Sequence, residues 1–426
     1  MFRLASLLVL ALCCSAPVLA QPVALSLDEV AGFAANQSRQ LAAYRAQALA
    51  ARERAVAAAQ RPDPVLRLGI NNLPIDGADR FSVARDFMTM RSVGVMQELT
   101  RADKLLARSE RARLDADVAE VASQQALATL QRDAAMAWFD RSFQESMRAL
   151  LVEQQAQARL QADAAETLYR GNRGSQADVL LARAQIGQLD ERIAAAEQQI
   201  AAATTRLTRW IGLAASRPLQ PRPALVLPAW TGEDLERHLP RHPQIAALAQ
   251  QEAVAAAEVR MAAADRQPDW SVELMFNQRG SAYSNMVSLN FSLPLQWDRK
   301  SRQDRELAAR QALADKALAE REDMQRAHVA EVRAMLQEWQ GAQRRLAHYG
   351  NGLIPLAQQR SAASLVAYRS GSGMLPAVLE ARRAEIDTRI EALRIEMELA
   401  RLWSELTYLL PHGDDAAEAI TSRTTP

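Results

Sequence analysis

The sequence predicts a mainly α-helical protein with a small β part, arranged as two internal repeats, and three observations carry that reading. From Arg101 to Arg170 there is neither Gly nor Pro, and nearly every residue is a good helix former. Two Pro-Asp steps, Pro62-Asp63 and Pro268-Asp269, each end an Ala-rich helical run and open a stretch of alternating polarity. Two tyrosine turns then recur at a constant offset. Tyr169-Arg170-Gly171 with Asp178-Val179-Leu180-Leu181-Ala182-Arg183 reappears as Tyr368-Arg369-Ser370-Gly371 with Ala377-Val378-Leu379-Glu380-Ala381-Arg382.

Taken in order, residues 1–20 read as a secretory signal. Arg3 supplies the charge, Leu4 to Cys14 the apolar run, and Val18-Leu19-Ala20 the small-residue cleavage site. Both cysteines, Cys13 and Cys14, fall inside it, so the exported chain is expected to lack disulfides and thiolate metal sites. Lipid modification at either is disfavoured, because Leu12 and Cys13 stand where the processing site needs a small residue. No later segment offers about 20 consecutive apolar residues, so helical membrane spans are excluded.

The first repeat is expected over 21–213. Ser26 and Glu29 form a capping box for a short helix, and an Ala-rich helix runs from near Leu41 to the first Pro-Asp. Strands follow at about 64–73 and 88–99, where Leu66, Leu68 and Ile70, then Val93 and Val95, alternate with polar or small residues. The helix from Arg101 to Arg170 would be about 105 Å long, so its partners must be equally long. Its thin stripe, through Leu114, Val118, Leu127 and Trp138, suits close side-by-side packing in a coiled coil or a wall of helices. A turn at about 169–178 sends the chain back.

Residues 214–230 carry Pro218, Pro221, Pro223 and Pro228 and are expected to be an extended connector. The second repeat, 231–412, starts a helix at Thr231, Glu233 and Asp234 and repeats the order, with strands at about 269–278 and 285–295 and a turn at about 368–377. Residues 413–426 read as a flexible tail.

Each strand is long enough to cross a bilayer at a tilt. In lipid four strands cannot stay open, because every backbone N–H and C=O needs a partner there. The sequence therefore asks for several copies, and at least three if the barrel is to hold a water-filled lumen. A small sheet in water packed on the helices is the competing reading. Arg and Lys number 51 against 50 acids, interspersed throughout, so no basic face points to nucleic acid.

Two repeats, each with two strands inserted between helices, and a Gly-containing turn after a tyrosine followed by Val-Leu and Ala-Arg, resemble the outer-membrane efflux proteins of the TolC type over essentially the whole mature chain. Within that family, Asn71-Asn72-Leu73-Pro74, Asp86-Phe87-Met88-Thr89-Met90 and Gly94-Val95-Met96-Gln97 are similar to the CzcC-like heavy-metal branch. The resemblance implies a homotrimer in the outer membrane of a Gram-negative bacterium. A β-barrel closed by three chains would continue as a long α-helical barrel into the periplasm. A periplasmic adaptor and an inner-membrane pump of the resistance-nodulation-division class would dock on its tip, and the chain would be a passive exit duct, with heavy-metal cations as cargo. No catalytic residue and no cofactor are expected.

By the same resemblance, Asp178 and Glu380 match positions that line the closed aperture, with Ala377 replacing one expected acid. Arg170, Arg173 and Arg369 would latch to those acids or to the adaptor. The alternative is that Asp178 caps a helix after Gly174-Ser175 and that Glu380 is simply solvated. Tyr169, Gly171, Gly174, Tyr368, Gly371 and Gly373 would form the adaptor surface, the glycines permitting left-handed turns. Met88, Met90 and Met96 share one parity, and thioethers are soft ligands for Cu(I); methionines also fill gaps. The five histidines, His238, His242, His328, His348 and His412, form no local metal-binding pair. A duct for organic compounds or for type I protein secretion, and a periplasmic coiled-coil scaffold, remain alternatives. With no nucleophile–histidine constellation or phosphate loop, an enzyme is not expected.

Overall fold

A computed structural model describes residues 24–231, 238 and 242–409. The signal at 1–20, the helix start at Glu233 and Asp234, and the tail at 413–426 lie outside the described residues. The chain is mostly helical, 71%, with one four-stranded antiparallel sheet. Helices α1 (Leu27–Gln37) and α2 (Arg39–Ala58) lead to strands β1 (Val65–Asn71) and β2 (Met90–Leu99), then to α3 (Ala102–Arg170) and α4 (Gln176–Ile211). After the connector come α5 (Pro243–Ala264), β3 (Trp270–Gln278), β4 (Met286–Ser292), α6 (Gln303–His348), α7 (Ile354–Arg369) and α8 (Leu375–Thr407). The chain divides into two compact units.

Of the described residues, the first unit holds 24–33 and Ala137–Ala224. The expected capping box is present: Glu29 N–H donates to Ser26 Oγ at 3.1 Å and Ser26 N–H to Glu29 Oε2 at 2.9 Å. The second part of α3 and α4 form an antiparallel hairpin. Asp140 pairs with Arg206, Arg148 with Glu197 at 2.8 Å, and Glu166 with Arg183 at 3.2 Å, so partners descend one helix as they climb the other. Trp138 is fully buried here, donates Nε1–H to the Leu25 carbonyl at 3.2 Å and meets the edge of Phe139 at 5.2 Å. Leu25 in turn bridges to Leu219, which ties the Pro-rich connector down as an extended segment. The connector is shorter than expected at its start, because Gly212–Ser216 forms a 3-10 turn.

Of the described residues, the second unit holds Ala34–Met136 and those from Leu225 on. Arg310 and Arg111, on α6 and α3, both reach Glu258 of α5, at 2.7 and 3.2 Å. Trp339, Ile395, Leu399 and Leu402 form a core between α6 and α8, with Leu225 and Leu227 packed on it. The long helix of the second repeat keeps right-handed helical backbone throughout but is not uniformly α. Tyr349–Leu353 makes a π turn between α6 and α7. Gly350 and Gly352 leave the turn without Cβ atoms, and Pro355 has no N–H to give to the carbonyl four residues back, so the extra residue is accommodated there.

Candidate functional site

The sheet has two chemically different faces, and its register builds both. Leu66, Val95, Leu274 and Leu289 form one cross-strand row, and Leu68, Val93, Phe276 and Val287 the next. All eight are exposed. On the other face the rows read Arg67, Gly94, Met275, Ser288 and Gly69, Ser92, Asn277, Met286. Arg67 pairs with Glu273 at 3.2 Å, Asn290 donates to Glu273 Oε2 at 3.1 Å, and Asn277 donates to Ser288 Oγ at 2.9 Å. Gly94 has to be glycine: a Cβ there would stand 2.9 Å from the Leu274 carbonyl.

The methionines are only partly as expected. Met90 and Met96 lie on the polar face, but β2 begins at Met90, and Met88 belongs to the preceding loop. Its N–H donates to Asp86 Oδ1 at 2.7 Å, as that of Thr89 does at 3.2 Å. Asp86 thus ends the strand pairing early with a local side-chain turn. Thr89, fully buried, closes the loop by donating to the carbonyl of Asn72, which is left-handed at φ 54°. Arg67 donates to the Met96 sulfur at 3.0 Å, so a cation already occupies that thioether.

The tip turns share their two closing backbone bonds, and the second adds Gly373 N–H to Ala367 O at 2.9 Å. Asn172 N–H donates to Tyr169 O and Arg173 N–H to Leu168 O; in the second tip Gly371 N–H donates to Tyr368 O and Ser372 N–H to Ala367 O. This is a Schellman ending, with the left-handed position filled by Asn172 at φ 57° and Gly371 at φ 76°. Of the four glycines expected to supply left-handed turns, only Gly371 does so. Gly171 precedes that position, and Gly174 and Gly373 serve close approach instead, since a Cβ on either would lie 3.1 Å from backbone. Gly373→Ala is expected to loosen the second tip by about 1–3 kcal/mol, read as faster amide exchange over 366–376. Gly187→Ala, in open space on α4, is expected to stabilise by about 0.5–1 kcal/mol.

Asp178 forms a capping box with Ser175, accepting from its N–H at 3.4 Å while Ser175 Oγ accepts from Asp178 N–H at 3.1 Å. Glu380 pairs with Arg360 at 3.1 Å, both exposed. Arg170 engages Glu166 at 2.6 Å, which Arg183 also reaches. These two arginines hold the Glu166 carboxyl below its ordinary range. Arg173 and Arg369 are exposed and make no ion pair among the described residues. Of the residues nominated from sequence, Asp178, Glu380 and Arg170 thus engage other residues, and none of the five pairs with another of them among the described residues.

One cluster was not legible in the sequence. His242, the residue before α5, and His328 on α6 stack with ring centroids 4.1 Å apart beside a cavity of about 160 Å³. The cavity is also lined by Arg132, Glu331, Glu405 and Tyr408. His328 Nδ1 lies 3.4 Å from Glu331, and His242 Nδ1 is buried without a hydrogen-bond partner. Burial, helped by the neighbouring His328, lowers the His242 imidazole from 6.5 to about 3. Unfolded His242 therefore takes up a proton between those values while folded His242 does not. Stability is expected to fall with acidification below pH 6.5, by at most about 1.4 kcal/mol per pH unit. In urea titrations across that range, His242→Gln should flatten the slope. Among the described residues no group of three or more His, Asp or Glu is gathered to hold a metal ion.

A mostly helical chain carrying a small antiparallel sheet with one apolar and one polar face has the fold of outer-membrane channel proteins. It is similar to the outer-membrane channel OprN at 20% identity and TM-score 0.77, over 91% of this chain and 90% of that one. It is similar to CusC, described for transmembrane channel formation, at 17% identity and TM-score 0.78, over 91% and 92%. VceC, an outer membrane protein of Vibrio cholerae, aligns at 16% identity and TM-score 0.70, over 89% and 96%. In sequence, residues 235–411 match the family described as Outer membrane efflux protein. No curated protein matches the chain. Among the described residues no helix is long and apolar enough to cross a membrane.

Proposed function

We propose that this chain is the outer-membrane channel of a tripartite efflux system, a passive exit duct of three copies that works with a periplasmic adaptor and an inner-membrane pump of the resistance-nodulation-division class. The observation that carries the reading is the sheet: an exposed apolar face backed by a polar, hydrogen-bonded one suits a barrel wall between lipid and water. With two open edges, four strands per copy need other copies to close. In this reading the tips around Tyr169 and Tyr368 meet the adaptor. Asp178 and Glu380, with Arg170, Arg173 and Arg369, act at the gate through exposed ion pairs of only about 0–1 kcal/mol each, suited to a gate that opens. Cysteines placed in the tips should crosslink to the adaptor; crosslinks only from elsewhere would remove that role.

Heavy-metal cations are the cargo favoured by the motif residues of the first insert. A duct for organic compounds is the second reading, because Asn72, Asp86, Thr89 and Gly94 all have structural tasks that require no metal. The deciding measurement is the tolerance of a deletion strain to zinc, cobalt, cadmium, nickel, copper and silver beside dyes and antibiotics. Sensitivity confined to metals supports the first reading, and sensitivity confined to organic compounds overturns it. Unchanged metal tolerance in Met90→Leu with Met96→Leu would remove the thioether track alone.

A further inference from the structure

The two Pro-Asp steps have the same sequence role but different surroundings. Asp269 is engaged within the chain: it accepts from Arg101 N–H at 3.0 Å and from Lys104 Nζ at 2.8 Å, and Lys104 is buried. The step of the second repeat is thereby clamped to the start of α3, the long helix of the first repeat. Asp63, its counterpart, is exposed and makes no ion pair among the described residues. The matching site, the start of α6, is equally unengaged. Arg299, Lys300 and Arg302 are exposed without an ion pair among the described residues, and no side chain caps the helix at Arg302. Its acids are already used: Asp298 accepts from Ser301 N–H at 3.1 Å, and Asp304 pairs with Arg266 at 2.9 Å. The tips match at Arg170 and Arg369, and the π turn inserts one residue above them, so Lys104 corresponds to Arg302.

The sheet edges say what brings these two together. Inside the chain β2 pairs with β3, with Val95 opposite Leu274. By the Pro-Asp alignment Leu274 corresponds to Leu68. Leu68 pairs with Val93 and Leu274 with Leu289, so Val95 corresponds to Phe291. Repeating the internal seam between copies therefore sets Phe291 opposite Leu68 and Leu289 opposite Ile70.

We propose that the β4 edge of one copy receives the β1 edge of a second copy with Phe291 opposite Leu68, which seats Asp63 of the second copy on the basic turn at 299–302 of the first. This rests on the multi-chain channel reading above. It adds the register and the ion-pair clamp. The seam repeats the Asp269–Lys104 junction, with the acid and the cation now on different molecules.

The test uses the full chain in membranes, where the sequence from Gln21 on offers no competing cysteine. Oxidation of Leu68→Cys with Phe291→Cys should give covalently linked copies in at least tenfold greater yield than the shifted pair Leu68→Cys with Leu289→Cys. Efficient linking of the shifted pair alone, or of neither pair in an oligomer that remains intact in detergent, overturns the register while leaving the oligomer standing. A chain that is monomeric in detergent and links through neither pair overturns the oligomer reading and the seam with it. For the clamp, Asp63→Arg should lower the temperature at which the oligomer dissociates, and Asp63→Arg with Arg302→Asp should restore it. An unchanged dissociation temperature in Asp63→Arg, or no restoration in the double variant, overturns the clamp.

Discussion

Leu274→Arg is expected to prevent assembly into the outer membrane, whereas Met275→Arg, one residue on, is expected to be tolerated. Leu274 is at the middle of β3, between Val95 and Leu289, on the exposed apolar face. A guanidinium near the bilayer midplane costs about 2–4 kcal/mol, and every copy in the barrel would carry it. Met275 points to the polar face, beside Gly94 and Ser288, where an added charge meets water and other polar groups. Membrane fractionation with detection of the heat-labile oligomer separates the outcomes. Equal insertion of both variants would mean that the apolar face does not meet lipid.

The second large effect is expected at Trp138. Its side chain is fully buried and joins three otherwise separate pieces: α3, the first residues around Leu25, and through Leu25 the connector at Leu219. Trp138→Ala should destabilise the first unit by about 3–5 kcal/mol. Trp138→Phe keeps most of the volume but leaves the Leu25 carbonyl without the indole donor. That carbonyl still accepts from Gln220 N–H at 3.0 Å, so the change should cost about 0.5–1.5 kcal/mol, in the range of one hydrogen bond lost. Denaturant unfolding followed at the α3–α4 hairpin reads both. A loss confined to below about 1 kcal/mol in the alanine variant would show that the connector is held elsewhere.

Much of this was legible because the signals are local. The bounds of α3 follow from a run without Gly or Pro, and the observed Ala102–Arg170 differs by one residue from what that run suggests. Strand faces follow from a period of two, and any slip in pairing would turn Leu274 or Leu289 toward the polar side. The repeat was visible because Tyr169 and Tyr368 hold the same place in two turns whose two closing backbone bonds coincide.

Other features depended on partners far along the chain. A glycine count pointed to Gly171 for the left-handed position, but the number of residues needed to close the Schellman bonds put Asn172 there. Parity placed Met88 on a strand, and the carboxylate of Asp86 took it out. The π turn at Tyr349 follows a two-glycine, one-proline cluster that marks a weak point without saying how the helix yields.

The sequence by itself determined which segments are helices, which residues share a strand face, and that the chain repeats, because propensity and periodicity act over a few residues. Only the tertiary structure decided that His242 meets His328 and that Glu258 serves both Arg111 and Arg310. It alone decided that Asp269 is clamped by Lys104 while Asp63 makes no ion pair among the described residues. Each of these depends on which helices become neighbours, and burial and charge pairing across such contacts leave no trace in the spacing of residues along the chain.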